Sequence, residues 1–257
     1  MVGLLKGVYH FFEVVFNVIL TVLAAVFVCS LSFLCIFIFW WLLLLPQYRR
    51  IPSSYWIFIR PWVFFVNKVA LLMRLRIIGK ENIDRNRVAL YISNHQSWID
   101  IPVLIGYTGT PGISKQEVML IPFIGILTAY GGAVFFDRRS TSARIQIIKK
   151  VLDVLKKGYP LCLFPEGTRS TDGSILDPNL ALVKMCFKNN IDVVPCVIEG
   201  TREILPPKRL YLRFFRKVIF ECCKPIHPSA FTNADDFADA CWNKVKDTHT
   251  EVVNKYF

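Results

Sequence analysis

Three short polar islands interrupt a strongly apolar chain: "SNHQSWID" at residues 93–100, "FFDRRS" at 135–140 and "FPEGTRS" at 164–170. In the first, His95 and Asp100 stand five residues apart. Inside one regular helix they would point roughly 140° away from each other. With His95 in a turn and Asp100 opening a helix, the chain folds back and brings carboxylate to imidazole. That pairing suits a histidine general base held in one tautomer by its partner. The same letters also have a structural reading. Asp100 followed by Ile101 and Pro102 is a good helix start, with the aspartate capping amides and proline tolerated in the first turn; His95 is then a plain loop residue. No GxSxG and no cysteine accompanies the island, so a base here acts on a substrate hydroxyl and not on an enzyme nucleophile.

"FPEGTRS" reads as an anion cradle. Backbone amides around Gly167, the Thr168 hydroxyl and the Arg169 fork can all bond phosphate oxygens, and Glu166 is expected to orient a basic partner. The competing reading is a turn with Gly167 for flexibility and a solvated Arg169. In "FFDRRS", Asp137 is expected to buttress Arg138 so that its charge faces the same anion; alternatively the run is an exposed ion cluster worth little. The eight cysteines show no paired CxxC spacing and several sit in apolar runs. They read as reduced core residues, neither a disulfide frame nor a zinc site, and no metal is expected.

The elements that must position these islands follow an α/β pattern from Leu75 onward, expected to be a mostly parallel sheet flanked by helices. "LRIIG" and "VALYIS" read as strands around "KENIDRN", "EVMLIPFIGILTAYG" as a buried helix, and "GAVFFD" as a short strand. Ile147, Ile148, Val151, Leu152 and Leu155 form a helical stripe closed by Gly158. "YPLCLF" is a strand stopped by Pro165, "NLALVKMCFKNN" a helix, and "DVVPCVI" a buried strand whose Pro195 suits an edge or a bulge. "RLYLRFFRKVIFE" alternates as a further strand. Thr232 with Asp235 resembles a capping box opening a last helix with Phe237, Cys241 and Val245 on one face. No internal repeat is read. The islands fall at strand ends, where such sheets place their sites.

Residues 1–73 read as a hydrophobic helical membrane anchor and 74–257 as the catalytic domain. No side chain between Glu13 and Arg49 is charged, and that run would extend about 50 Å as helix, beyond one crossing of about 20 residues. It is either a tilted span with an interfacial tail or a bent pair entering one leaflet, and it is too long for a signal peptide. Residues 55–73, with Arg60, Pro61 and Lys68, are expected in the interface. The net charge is +12, with Arg49, Arg50, Arg74, Arg76 and Lys80 just after the apolar parts. This predicts attraction to anionic lipid and acidic substrate, and a body on the cytoplasmic side. No nucleic-acid motif accompanies the charge, so no nucleic-acid partner is expected.

As an ordered set, the islands resemble the glycerolipid acyltransferase family of 1-acyl-glycerol-3-phosphate acyltransferases, over roughly residues 75–227. "NHQSWID" is similar to the family's NHxxxxD motif, "FFDRR" to its second motif, "FPEGTRS" to its third and "VVPCVI" (193–198) to its fourth, near the acyl site. "SKQEVMLIPFIG" resembles the segment between the first two motifs, whose lysine falls at Lys115. The resemblance implies His95 as base and Asp100 as its orienter, with Lys115, Arg138, Glu166, Gly167, Thr168 and Arg169 around the acceptor phosphate. It implies acyl transfer from acyl-CoA or acyl carrier protein to the sn-2 hydroxyl of lysophosphatidic acid, giving phosphatidic acid without metal or cofactor. The implied location is a membrane, the bacterial inner membrane or its equivalent. Two alternatives stand beside this: acylation of another lysolipid, such as a lyso-ornithine lipid or a lysophospholipid with a larger head group, and a non-catalytic lipid-binding membrane protein.

Overall fold

A computed structural model describes residues 2–44, 57, 59–84, 87–136 and 141–257. The body is built on a five-stranded sheet of β1 (Arg74–Ile78), β2 (Ala89–Ser93), β5 (Leu161–Leu163), β6 (Asp192–Glu199) and β7 (Lys217–Cys222), ordered β1-β7-β6-β2-β5. Every neighbouring pair is parallel except β6 with β7. A second, parallel pair, β3 (Ile113–Lys115) and β4 (Val134–Phe136), joins β5 through a parallel bridge between Gly112 and Cys162. β2 is buried at all five positions, as a strand covered on both faces must be; this is why it reads as a continuous apolar run and not as an alternation.

Successive side chains of these strands feed two cores on opposite faces. Leu90, Ile92, Val193 and Val197 pack with α5 (Thr141–Lys156), α6 (Ala181–Lys188) and the long α8 (Ala234–Tyr256). Tyr91, Val194, Cys196, Ile198 and Phe220 pack with α3 (Asp100–Thr108) and with Val66, Leu71 and Met73 of the preceding apolar region. The apolar region therefore supplies part of the body's own core. Seven of the eight cysteines are buried and all eight are free.

Several expectations are revised. Pro195 sits in a central strand: it pairs with Ile92 of β2, and its carbonyl accepts from the Cys223 amide, just past the last residue of β7. Its missing donor therefore faces the side where β7 has already ended, and the β2 ladder is intact. Residues 117–131 are not one buried helix. A 3₁₀ turn (Gln116–Leu120) precedes α4 (Ile124–Tyr130), with Pro122 and the left-handed Phe123 (φ 63°) between them, and Met119 and Leu120 are exposed. The strand expected from Arg209 starts only at Lys217. The last helix is capped by Asn233, not Thr232; the Asn233 side chain accepts from the Asp235 and Asp236 amides. Phe237, Cys241 and Val245 do share its buried face.

α1 (Val2–Phe39) contains a helix long and apolar enough to cross a membrane by length and composition. It runs alongside the body. Glu13 lies 3.8 Å from Arg216, Thr21 Oγ1 accepts from the Leu212 amide, Ser32 Oγ accepts from Trp62 Nε1, and the Ile36 carbonyl accepts from the Tyr130 hydroxyl. These contacts span about 35 Å of helix. Between them α2 (Arg60–Phe65) docks on α3 so closely that a Cβ on Gly106 would lie 2.2 Å from Val63 Cγ1, which only glycine permits. Arg60 and Lys68 are exposed.

Candidate active site

Because β2, β3, β4, β5 and β6 all run in the same direction, their C-terminal ends open on one edge of the molecule. Residues after Ser93 and Leu163 emerge side by side there, since Ile92 pairs with Leu163. Lys115 ends β3 on the same edge, in register with Phe136, and is exposed. Asp137 and Arg138, which follow Phe136, lie outside the described residues.

The chain after β2 is held by a side chain acting as strand. Asn94 donates from Nδ2 to the Ile198 carbonyl and accepts at Oδ1 from the Ile198 amide, both at 2.9 Å, prolonging the β2–β6 ladder by one residue. The loop then turns back into α3. Asp100, fully buried, accepts at Oδ2 from His95 Nδ1 (2.8 Å), the Gln96 amide (2.6 Å) and the Ser97 amide (2.7 Å), and at Oδ1 from the Thr201 hydroxyl. The expected cap is therefore inverted. Asp100 is the first helical residue, its carboxylate binds amides that precede it, and Ile99 occupies the cap position without a side-chain bond. With Asp100 accepting at Nδ1, the neutral ring carries its proton there and its lone pair at Nε2. The His95 ring stacks on Phe164, centroids 4.1 Å apart and planes 18° apart. Ring orientation and tautomer are thus fixed from two sides.

The first and third islands clasp each other through backbone. His95 donates its amide to Glu166 Oε1 (2.9 Å) and accepts at its carbonyl from the Ser170 amide (2.9 Å). Glu166 Oε2 takes the Leu176 amide at 3.1 Å. Glu166, expected to orient a basic partner, faces two backbone amides instead; burial pushes its carboxyl up to about 7, with those two bonds working against the shift. Gly167 donates to the Phe164 carbonyl with φ 64°, closing a turn over Pro165. Thr168 is exposed. The Arg169 guanidinium lies over the exposed Trp98 ring, 4.9 Å from its centroid. Burial draws its pKa down while Asp100 works the other way, and it remains a cation. A guanidinium stacked on an indole keeps its in-plane donors available for a bidentate anion.

The structure also recruits residues not read from the sequence. From the last residue of β6 the letters of the third island recur as Glu199-Gly200-Thr201-Arg202. Thr201, which opens the short α7 (Thr201–Ile204), is the Oδ1 partner of Asp100, and Glu199 Oε2 lies 2.8 Å from both Gln96 Nε2 and His249 Nε2. The repeated EGTR was the available signal for Glu199 and Thr201; His249, in the middle of α8, offered none. The site is thus a histidine and carboxylate at a strand-end edge, with the ring lone pair at Nε2, beside an aromatic-backed arginine. It can take a proton from a hydroxyl whose owner carries an anionic group.

The chain is similar to known acyltransferases. A family model described as Acyltransferase matches residues 74–199. The chloroplastic 1-acyl-sn-glycerol-3-phosphate acyltransferase LPAT1 of Arabidopsis thaliana is 33% identical over 158 residues, 61% of this chain and 44% of that protein. The 1-acyl-sn-glycerol-3-phosphate acyltransferase of Saccharomyces cerevisiae is 30% identical over 198 residues, 74% of this chain and 64% of that one. The chain spans about half the length of the curated relatives it matches. The crystal structure of the 1-acyl-sn-glycerophosphate (LPA) acyltransferase PlsC from Thermotoga maritima superposes with TM-score 0.81 at 25% identity, covering 95% of this chain and 99% of that one. By its ordered motifs, its fold and these relatives, the chain carries a domain of the Acyltransferase family over residues 74–199, in the fold of PlsC.

Proposed function

We propose that the protein transfers an acyl chain from acyl-CoA or acyl carrier protein to the sn-2 hydroxyl of lysophosphatidic acid. The observation that supports this best is the His95 Nδ1 to Asp100 Oδ2 contact at 2.8 Å, which leaves Nε2 as the basic nitrogen on an edge lined by Arg169 and Lys115. Nε2 takes the hydroxyl proton as the oxygen attacks the thioester carbonyl. The tetrahedral intermediate collapses, the carbon–sulfur bond breaks, and the imidazolium returns its proton to the departing thiolate. Asp100 holds the imidazolium while it exists. The scheme uses neither metal nor cofactor. Arg169, with Lys115 and Arg138, holds the phosphate, which fixes the hydroxyl beside the base and removes the entropic penalty of aligning it. The apolar faces of α1 that the body leaves exposed support a site at a bilayer surface, where both acceptor and product reside, and the basic residues that follow the apolar runs in the sequence support the cytoplasmic side.

Replacing His95 by Ala in purified, membrane-reconstituted protein is expected to lower thiol release and phosphatidic acid formation by on the order of 10²–10⁴-fold. The variant should remain bound to the membrane. Undiminished transfer would overturn the assignment. Running the same assay over a panel of lysolipids, with both thioester donors and product masses read out, separates lysophosphatidic acid from larger head groups.

A further inference from the structure

Residues 208–217, "KRLYLRFFRK", lie between the catalytic loop and α1 and take no part in the chemistry described above. Five of the ten are cationic and none is acidic. The segment is tied at both ends. On the site side, Ser97 Oγ donates to the Leu205 carbonyl at 2.8 Å and the Arg213 amide to the Ile204 carbonyl at 2.9 Å. On the anchor side, the Leu212 amide donates to Thr21 Oγ1, and Phe214 is buried against Ala24 and Ala70.

Between these ties the chain turns large apolar side chains outward. Leu210 is 94% exposed and Phe215 51%. Lys208 and Phe215 both hold left-handed backbone, φ 72° and 60°, a conformation unfavourable for a side-chain-bearing residue. Arg216 is turned to Glu13 of α1, and Lys217 donates to the Tyr256 carbonyl. Lys208, Arg209 and Arg213 supply the remaining positive charge of the segment. The neighbouring stretch of α1 exposes Phe12, Phe16, Ile19 and Leu23. An exposed leucine and phenylalanine among cations, in a segment bonded to an apolar helix through Leu212 and Thr21, match the composition of an element that sits at the headgroup and acyl boundary of an anionic bilayer.

We propose that residues 208–217 form a second membrane-contacting element, with Leu210 and Phe215 inserted below the headgroups and Lys208, Arg209 and Arg213 bound to anionic lipid. The element joins the catalytic loop to the anchor and sets the height of the His95 edge above the bilayer. This rests on the membrane-bound reading given above.

The test uses the full chain in nanodiscs containing an anionic phospholipid. A nitroxide is attached at Leu210→Cys in a Cys29→Ser background, the other seven cysteines being buried. Reference labels are placed at Leu23→Cys on α1 and Thr171→Cys on an exposed loop. Immersion, read as protection from an aqueous nickel relaxant with exposure to oxygen, is expected at 210 as at 23, with 171 in water. A label at 210 as water-accessible as that at 171, with 23 immersed, overturns the inference and leaves the membrane reading standing. If neither 210 nor 23 is immersed, both fail. Changing Lys208, Arg209 and Arg213 together to Glu is expected to raise nickel accessibility at 210 at least about twofold. Unchanged depth overturns the anionic-lipid part.

Discussion

Two copies of one tetrapeptide bracket the His95 loop, and they do different things. Glu166-Gly167-Thr168-Arg169 follows β5; Glu199-Gly200-Thr201-Arg202 starts on the last residue of β6. Both strands end on the same edge, both glycines have positive φ (64° and 91°), and both glutamates reach into the residues around His95. In the first copy Thr168 is exposed and Arg169 stands over Trp98; in the second Thr201 is fully buried on Asp100 and Arg202 packs against Gly173. Under the proposed function the first copy faces the acceptor phosphate and the second braces the orienter of the base. The lesson is that four identical letters carry no role of their own; the neighbour each side chain meets assigns it.

The largest effect that tests this contrast lies at the arginines. Arg169→Ala is expected to reduce kcat/KM for lysophosphatidic acid on the order of 10²-fold, the loss of charge-assisted bonds worth about 3 kcal/mol, chiefly through KM. Arg202→Ala should stay within about threefold. Steady-state kinetics with varied acceptor distinguish them; equal losses would end the functional asymmetry. The threonines come next. Thr201→Val removes a donor from buried Asp100 and is expected to lower kcat about tenfold, the scale of one hydrogen bond to a charged group. Thr168→Val should alter KM alone. A kcat unaffected by Thr201→Val would show that Asp100 needs only its three Oδ2 partners.

The first copy was legible in the sequence because its context is punctuated: Pro165 ends a strand, Gly167 supplies the turn, and the arginine follows two residues later. His95 and Asp100 were legible for the same reason, their five-residue spacing being explicable only by a turn before a helix. The second copy sits at the end of a long apolar strand and acts on Asp100 from 101 residues away, a relation fixed by the β2–β6 register and not by local pattern. His249 was invisible, as one polar letter on an amphipathic helix. The misread 117–131 segment shows the reverse failure. Its apolar run is helical in composition, but Pro122 and the conformation at Phe123 divide it, leaving Met119 and Leu120 exposed.

The glutamates supply the smallest and most discriminating effect, because their titrations are displaced in opposite directions. Burial raises the Glu166 carboxyl from 4.5 to about 7, against the opposing amide bonds of His95 and Leu176. Burial also acts on Glu199, but bonds from His249, Gln96 and the Gly200 amide outweigh it and hold that carboxyl below the usual range. Between 4.5 and about 7 the folded protein binds more protons at Glu166 than the unfolded chain does. Its contribution to stability is therefore fully present below the unfolded value and is lost as pH rises through the folded one. At Glu199 the sign reverses: the contribution is present above the ordinary glutamate value and is lost as pH falls through the folded one. Glu166→Gln should therefore gain stability relative to the parent as pH rises from about 5 to 7, whereas Glu199→Gln should lose relative stability as pH rises from about 3 to 5. Melting temperatures across both windows, in one detergent, read the two slopes. Slopes of the same sign would mean that the two carboxylates share one environment, and the contrast between the copies would then lie in Thr201 and Arg169 alone.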